Sequence, residues 1–154
     1  LFNKFNVLLD YAHNPAGMTA LFKFVENLDG TPKIGIIAGI GDRREEDNVE
    51  MGRLASEMFD EVIIRQDKNL RGKTEKELID MLTKGIKSHD PNKKISIFNS
   101  EKEAISHSIE NAIDGSLIVM CSDVVPDALK QVLEYKEMEE NKLYGFSKAD
   151  IPNQ

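Results

Sequence analysis

The sequence predicts an α/β protein with a doubly wound, mostly parallel sheet and helices on both faces of that sheet. Five short apolar runs are spaced along the 154-residue chain, and stretches with helical periodicity separate them. Helix-capping signals stand between the runs. Strands that alternate with helices form parallel βαβ units, and right-handed crossovers place the helices on both faces. Continuous apolar runs are typical of strands that are covered on both sides.

The first strand and helix are predicted from the segment NVLLDYAHNPAGM. The apolar run 6–10 predicts a buried strand. Asn14 and Pro15 have the residue types preferred at the N-cap and the first position of a helix. This helix is expected to continue to about Leu28, because its apolar residues recur at helical spacing. The turn residues at 29–32 then end the first unit.

The middle of the chain repeats this order. The run 33–40 predicts a second buried strand, and a loop over 41–47 leads to a helix from about Asn48 to Phe59. Residues 60–66 predict the third strand. Two T/S-x-x-E capping boxes then mark further helices; they are Thr74 with Glu77 and Ser100 with Glu103. The remaining predicted elements are a helix to about 88, a strand over 94–98, a helix to about 113, a strand over 115–121 and a helix over 125–139.

Composition excludes several classes of protein. The net charge of −7 and the pI of about 5.0 disfavour broad binding to nucleic acids or acidic membranes, because phosphate contacts require a basic surface. The sequence has no apolar run of the roughly 20 residues that a membrane span needs, and no signal peptide is recognisable. A cytoplasmic protein is therefore expected. Cys121 is the single cysteine, and its place at the end of an apolar run predicts a buried, unreactive thiol.

Polar residues collect in the loops that follow the first three predicted strands, and ligands of open α/β sheets bind at that edge. Asp10 could accept two hydrogen bonds from the hydroxyls of a ribose. His13 could donate, accept or stack on a base, and Asn14 could cap a helix whose N-terminus favours anions. The alternative is that Asp10 and Asn14 only close a turn while His13 packs against the protein.

The second and third loops carry charged candidates. Gly39 and Gly41 allow close approach of the backbone, and Arg43 and Arg44 can bind phosphate or carboxylate oxygens. The alternative is a glycine turn followed by solvated charges. The third loop could hold the charged groups of an amino acid, or it could be a polar connection only. Its candidates are Asp67, Asn69 and Arg71. The sequence contains neither a P-loop nor a dinucleotide-binding fingerprint.

Together these loops resemble the C-terminal domain of the Mur ligase family, which couples ATP cleavage to amide-bond formation through an acyl phosphate. DYAHNP (10–15) resembles the family's D-[YG]-A-H-[NT]-P signature. GDRREED (41–47) and DKNLRG (67–72) resemble the cyanophycin synthetases within that family. The peptidoglycan tripeptide synthetases instead carry GDRD and DNPR in these loops. The resemblance covers about residues 2–135.

The resemblance implies a role for each motif residue. Four residues would lie at the ribose and base of the nucleotide: Asp10, Tyr11, His13 and Asn14. Three would face its phosphates or the acyl phosphate: Gly41, Asp42 and Arg43. Four would bind the incoming amino acid: Arg44, Asp67, Asn69 and Arg71. Arg43 is the one candidate for a catalytic role, and no residue of this chain is expected to bind a metal.

The resemblance also implies a longer parent protein. Family members have three domains, of which the central one carries the P-loop and the Mg²⁺ ligands and the last is a Rossmann-like lid that closes on ATP. We therefore expect residues 1–140 to be the C-terminal domain and 141–154 a tail, both excised from a longer chain. The parent would be a homo-oligomer that binds neither nucleic acid nor membrane, and the isolated domain would be inactive.

The implied reaction has alternatives. In cyanophycin synthetases the Mur-like module is linked to the addition of arginine to the β-carboxyl of a polyaspartate backbone. A related ligase would instead act in peptidoglycan or folylpolyglutamate synthesis. A third alternative is a non-catalytic module that binds nucleotides, because a fold does not by itself determine a function.

Overall fold

Five parallel strands form one sheet in the order β1-β5-β2-β3-β4. The computed structural model describes residues 1–66 and 72–144, without the side chain of Tyr144. The strands are β1 (Asn6–Asp10), β2 (Lys33–Ile37), β3 (Glu61–Arg65), β4 (Lys94–Phe98) and β5 (Leu117–Cys121). The last strand therefore lies between β1 and β2, and all five of its residues are buried. The predicted α/β class and the parallel sheet are confirmed.

Helices cover both faces of the sheet, as predicted. They are α1 (Pro15–Val25), α2 (Glu45–Met58), α3 (Glu75–His89), α4 (Glu101–Glu110) and α5 (Val125–Tyr144). One hydrophobic core lies under α1, α2 and α3, where Met18, Ala55 and Leu82 are fully buried. A second core lies under α4 and α5, around Ile105 and Ala128. The sheet is thus the shared middle layer of a three-layer domain.

The segment after β2 differs from the prediction. The strand ends at Ile37 rather than at residue 40, because the chain turns there and Ile40 bonds instead to the side chain of Asn48. Helix α2 begins at Glu45, three residues before the predicted start. Acidic residues occupy its first turn, where a helix dipole favours negative charge. The loop at this edge is therefore as long as predicted, but it lies three residues earlier in the chain.

Three helix ends also differ. Helix α1 ends at Val25 rather than about Leu28, and α4 ends at Glu110 rather than about 113. In both cases an asparagine just beyond the end donates its side-chain amide to a carbonyl of the last turn: Asn27 to Lys23 (2.7 Å) and Asn111 to His107 (2.8 Å). Helix α5 continues to Tyr144 instead of 139, since the next glycine is at position 145.

The two predicted capping boxes differ in completeness. In α3, Thr74 accepts from Glu77 N–H and the Glu77 carboxylate accepts from Thr74 N–H, so the box is complete. In α4, Ser100 accepts from Glu103 N–H. The reciprocal bond to the Glu103 carboxylate is not formed within the described part of the chain.

The α2–α3 contact is close enough to require glycine. A Cβ atom on Gly85 would lie 1.8 Å from the carbonyl oxygen of Val49, and one on Gly52 would lie 2.1 Å from that of Leu82. Real carbon atoms do not approach oxygen so closely, so larger residues at either position would force the helices apart. This contact holds α2, and with it the loop before α2, against the rest of the domain.

The lone cysteine has the environment that the sequence predicts. Cys121 is buried at the end of β5, and its Sγ lies 3.8 Å from the sulfur of Met18. Burial raises the pKa of its thiol to about 12. Because the thiolate is the reactive species, Cys121 is unreactive near neutral pH.

Candidate active site

The carboxyl ends of all five strands lie at one edge of the sheet, and the loops after β1 and β2 meet there. The end of β5 lies between these two loops, and Ser122 N–H donates to the carbonyl of Asp10 (2.9 Å). A narrow crevice of about 20 Å³ joins them, with Ala12 and His13 on one side and Ala38 and Ile40 on the other. The fold thus brings the first two predicted site loops together.

The first loop is a tight turn closed by its own side chains. Asp10 accepts a hydrogen bond from Ala12 N–H (2.8 Å), and Asn14 accepts one from Gly17 N–H (2.7 Å) at the N-cap of α1. The turn-closing alternative for these two residues is therefore present in the structure. Each bond uses one side-chain oxygen, so the second carboxylate oxygen of Asp10 and the amide nitrogen of Asn14 lie outside these two bonds.

His13 is oriented by the same loop. Its Nδ1 lies 2.9 Å from the carbonyl oxygen of Tyr11, and its ring lies 4.7 Å from the Tyr11 ring at 52°. Because a carbonyl can only accept, this bond places a proton on Nδ1. The neutral imidazole would then present Nε2 as an acceptor. His13 packs on its own loop rather than in the core, and it lines the crevice described above.

A cavity of about 410 Å³ opens beside this loop and the first turns of α1. Asp10 contributes a carboxylate to its wall, and Tyr11 and Phe24 contribute rings that are each more than half exposed. Large exposed aromatic side chains next to a polar group are typical of binding surfaces. The cavity therefore combines an apolar wall of aromatic rings with the carboxylate of Asp10.

The second loop is held by two side chains that the sequence reasoning missed. Asn48, almost completely buried, accepts from Ile40 N–H (3.0 Å) and donates to Ile40 O (3.1 Å). Lys73 donates to the carbonyl oxygens of Gly41 and Arg43, both at 2.7 Å. A lysine that follows the third loop thus fixes the backbone of the second.

Arg43 is half-buried, whereas Arg44, the next residue of this loop, is exposed. The Nε of Arg43 is buried and has no hydrogen-bond partner among residues 1–66 and 72–144. A buried donor without a partner costs free energy, and a bound oxyanion would supply the missing acceptor. Asp42 lies on the same turn and is exposed.

Arg44 has a different environment from Arg43. It occupies the N-cap position of α2, is largely exposed, and donates from Nε and Nη2 to the two carboxylate oxygens of Asp47 (3.1 and 3.0 Å). These hydrogen bonds raise the pKa of Arg44 and lower the pKa of Asp47. Its guanidinium is thus engaged by its own helix. The other predicted amino-acid-binding residues, Asp67, Asn69 and Arg71, lie outside the described residues.

A buried ion cluster at the end of β3 is the second feature that the sequence reasoning missed. Arg65 is 6% exposed, pairs with Asp123 and donates to the Cys121 carbonyl (3.3 Å). Its Nε lies 2.9 Å from Glu101 Oε2. Burial raises the pKa of Glu101, although Arg65 acts in the opposite direction. The signal available in the sequence was an arginine that ends an apolar strand.

The same cluster forms the floor of a larger groove. This groove has a volume of about 630 Å³ and lies between the first turns of α4 and α5. Gln66 and Ser100 line it together with Glu101 and Asp123. No group of three or more His, Cys, Asp or Glu side chains in the described ranges is arranged to hold a metal ion. None of the helices described here is long and apolar enough to cross a membrane.

The fold and this edge define an open parallel α/β domain whose ligand chemistry is gathered at the carboxyl ends of its strands. Residues 2–124 match the family model for the Mur ligase, glutamate ligase domain. The chain belongs to this family, and the resemblance noted in its sequence is confirmed.

Curated relatives and solved structures agree with this assignment. The chain is 38% identical to a cyanophycin synthetase of Geminocystis herdmanii over 85% of its length, and 35% identical to that of a Nostoc species over its full length. It is also 30% identical to a UDP-N-acetylmuramyl-tripeptide synthetase of Borreliella burgdorferi. That match covers 75% of this chain and 22% of the synthetase. The chain spans only 15% and 16% of the two cyanophycin synthetases.

The solved structures share the fold at low sequence identity. A UDP-N-acetylmuramoyl-L-alanyl-D-glutamate–2,6-diaminopimelate ligase superposes with a TM-score of 0.76 at 18% identity, over 91% of this chain and 31% of that one. The E. coli FolC structure in complex with ADP superposes with a TM-score of 0.63 at 18% identity, over 86% of this chain and 29% of that one. At this level of identity, these structural matches show that the fold is shared.

Proposed function

We propose that this chain is the C-terminal, nucleotide-covering domain of a cytoplasmic, ATP-dependent amide ligase that resembles cyanophycin synthetase. The observation that carries the proposal is that His13, in the loop after β1, meets Ala38 and Ile40, at the start of the loop that carries Arg43, at one edge of the sheet. An acid beside an apolar wall suits a nucleoside, and an arginine on the neighbouring loop suits its phosphates. A solved relative of the same fold is described in complex with ADP.

The nucleoside would lie in the cavity beside α1. The carboxylate of Asp10 would accept hydrogen bonds from the ribose hydroxyls, and the exposed rings of Tyr11 and Phe24 would lie against the base. His13 and the Asn14-capped start of α1 would face the sugar–phosphate side, where the positive end of the helix dipole favours anions.

The phosphates would lie toward the second loop. Arg43 would direct its guanidinium, whose Nε has no hydrogen-bond partner among the described residues, to a phosphoryl oxygen, and Gly41 would allow the loop backbone to approach. Lys73 and Asn48 fix the backbone of this loop through their hydrogen bonds to Gly41 and Ile40. Mg²⁺ would be held mainly by the central, P-loop-bearing domain of the same chain, and it would neutralise phosphate charge there.

The proposed reaction has two steps. A substrate carboxylate oxygen attacks the γ-phosphorus of ATP, the bond to the β–γ bridging oxygen breaks, and ADP leaves. The amine of the incoming amino acid then attacks the acyl carbon, inorganic phosphate leaves, and the amine loses a proton. The contribution of this domain would be to orient the nucleotide, stabilise charge on the phosphoryl oxygens and exclude water. The isolated domain should not turn over ATP.

The proposed substrates are arginine and a polyaspartate acceptor, in a parent enzyme that is a homo-oligomer. Support for arginine comes from the relatives at 34–38% identity, which are cyanophycin synthetases. Arg44, Asp67, Asn69 and Arg71 are proposed to bind the amino acid on the basis of the loop resemblance. A peptidoglycan or folylpolyglutamate ligase would select diaminopimelate or glutamate instead, so amino-acid selection by the complete enzyme separates these alternatives.

An NMR titration of this domain with ATP tests the nucleotide site. Chemical-shift changes are expected at residues 10–14 and 41–43, and Asp10→Asn should weaken them. Asp90→Asn is the matched control, because Asp90 accepts from the backbone N–H two residues later, as Asp10 does, but in a turn at the opposite edge. Equal titrations of the two variants would contradict the site.

If ATP binds only when the central domain is present, the complete ligase decides. Asp10→Asn and His13→Ala should then reduce arginine-dependent ADP release, whereas Asp90→Asn should not. Wild-type rates in both site variants would overturn the proposed function of this loop.

A further inference from the structure

Arg65 is an unusually buried cation for a residue at the carboxyl end of a strand. Only 6% of it is exposed, and it lies between two carboxylates, those of Glu101 and Asp123. Removing charges from water is costly, and an apolar side chain of similar volume in place of a buried ion cluster is often neutral for stability. Stability alone therefore gives little reason for this cluster.

The position of the Arg65–Asp123 pair suggests another reason. The pair lines the narrow crevice that contains His13 and Ile40, on the nucleotide side of the edge. It also lines the groove of about 630 Å³ between α4 and α5. The two cavities are thus neighbours, and this ion pair forms the boundary that they share.

The pair also fixes the loop that follows β5. Arg65 Nη2 donates to the Cys121 carbonyl and to the Asp123 carboxylate. Glu101 extends the cluster, because it accepts from the Ser122 hydroxyl (3.0 Å) while it contacts Arg65 Nε. The last residue of β5 and the first two residues of that loop are therefore tied, directly or through Glu101, to one guanidinium.

We propose that Arg65 is a positioning residue for the incoming amino acid, which enters through the α4–α5 groove. This inference rests on the proposed function, since an acyl phosphate formed beside the nucleotide must be reached by an amine from a neighbouring cavity. Asp123 keeps 41% of its side chain exposed, so its carboxylate can accept a hydrogen bond from that amine. Arg65 acts through Asp123 by holding this carboxylate at the boundary.

The first test is steady-state kinetics of the complete ligase with Arg65→Met and Arg65→Lys. Arg53→Met is the matched control, because Arg53 also pairs with two carboxylates, Glu50 and Glu57, but on α2 and away from both cavities. In Arg65→Met the KM for the amino acid should rise by about tenfold or more, with the KM for ATP unchanged within about twofold. Arg65→Lys should recover part of the loss.

The second test is hydrogen exchange in the domain itself. Arg65→Met should increase deuterium uptake at residues 122–124 more than at the buried strands β2 and β3, whereas Arg53→Met should leave uptake at 122–124 unchanged. This readout needs no activity, so it separates loop positioning from general loss of structure.

The outcomes separate this inference from the proposed function. A wild-type enzyme without amino-acid-dependent ADP release overturns the proposed function and this inference with it. An active enzyme in which Arg65→Met leaves the amino-acid KM unchanged, or raises the ATP KM equally, overturns the role of Arg65 alone. Unchanged exchange at 122–124 overturns the positioning mechanism.

Discussion

At the scale of single residues, Asn48 shows how much one buried amide can determine. Its two hydrogen bonds to Ile40 satisfy one backbone donor and one backbone acceptor. They end β2, turn the chain toward the edge and fix the loop that carries Arg43. The side chain is 1% exposed, so water cannot replace it without rearrangement.

We therefore expect Asn48→Ala to lower the free energy of unfolding by about 1–3 kcal/mol, because the backbone N–H and C=O of the half-buried Ile40 lose their partners. Urea unfolding measures this change. Asn92→Ala, at an exposed asparagine of the opposite edge, should change the stability by less than about 0.5 kcal/mol. Equal effects of the two substitutions would show that the Asn48 bonds are not needed.

Residue roles were predicted from sequence only where the residue stands in a motif. Asp10, His13 and Asn14 could be placed at the edge because they follow an apolar run directly. Asn48 and Arg65 could not be found in this way, since their partners lie elsewhere in the chain. Arg65 contacts residues 36 to 58 positions away, and nothing local encodes such a pairing.

At the scale of secondary structure, the capping box of α3 predicts the direction in which stability changes with pH. The hydrogen bonds from the backbone N–H and the hydroxyl of Thr74 lower the pKa of Glu77 below the usual glutamate value. A depressed pKa means that the charged form stabilises the folded state. This stabilisation is present above the unfolded-state pKa and is lost as the pH falls through the folded-state pKa.

Glu77→Gln should therefore lower the Tm at about pH 7, and the difference from wild type should shrink toward about pH 3, as the Glu77 carboxylate takes up its proton. Thermal unfolding at the two pH values measures it. Comparing the two proteins at the same pH cancels the titration of all other groups. A Tm difference that does not depend on pH would contradict the assignment.

Strands and helices were the most predictable level. The strands 6–10 and 94–98 were predicted to the residue. Several of the ends that were wrong are set by a side chain that bonds back to the helix, as at Asn27, or by a turn that a side chain from the next helix holds, as at Ile40. Apolar periodicity carries no information about such bonds.

At the scale of the whole molecule, the two cores on opposite faces of one sheet should unfold together. Ile86 belongs to the core under α3 and Ile105 to the core under α4, and neither is exposed. Because the strands between them are shared, loss of either layer exposes the sheet to water. A single cooperative transition is expected.

Ile86→Val and Ile105→Val should each lower the free energy of unfolding by about 0.5–1.5 kcal/mol. The double variant should lose the sum within about 0.5 kcal/mol, since the two sites share no partner. Denaturant unfolding with an unchanged slope tests both points. A second transition, or a strongly non-additive double variant, would mean that the layers are not one unit.

The strand order was the part of the architecture that the sequence did not reveal. The run 115–121 predicts a doubly covered strand, but no pattern in it says that its neighbours are β1 and β2. That placement nonetheless decides the site, since the loop after β5 then lies between the first two loops. It also brings Asp123 to Arg65.

The buried thiol of Cys121 has a practical consequence for labelling this domain. With its pKa at about 12 and its sulfur against Met18, it will not compete for maleimide dyes. A cysteine introduced by Asn92→Cys, at the edge away from the candidate site, would then be the one reactive thiol of the 154-residue chain. A fluorophore placed there would leave the candidate site residues unmodified, and it could report on binding of a nucleotide that carries a second dye.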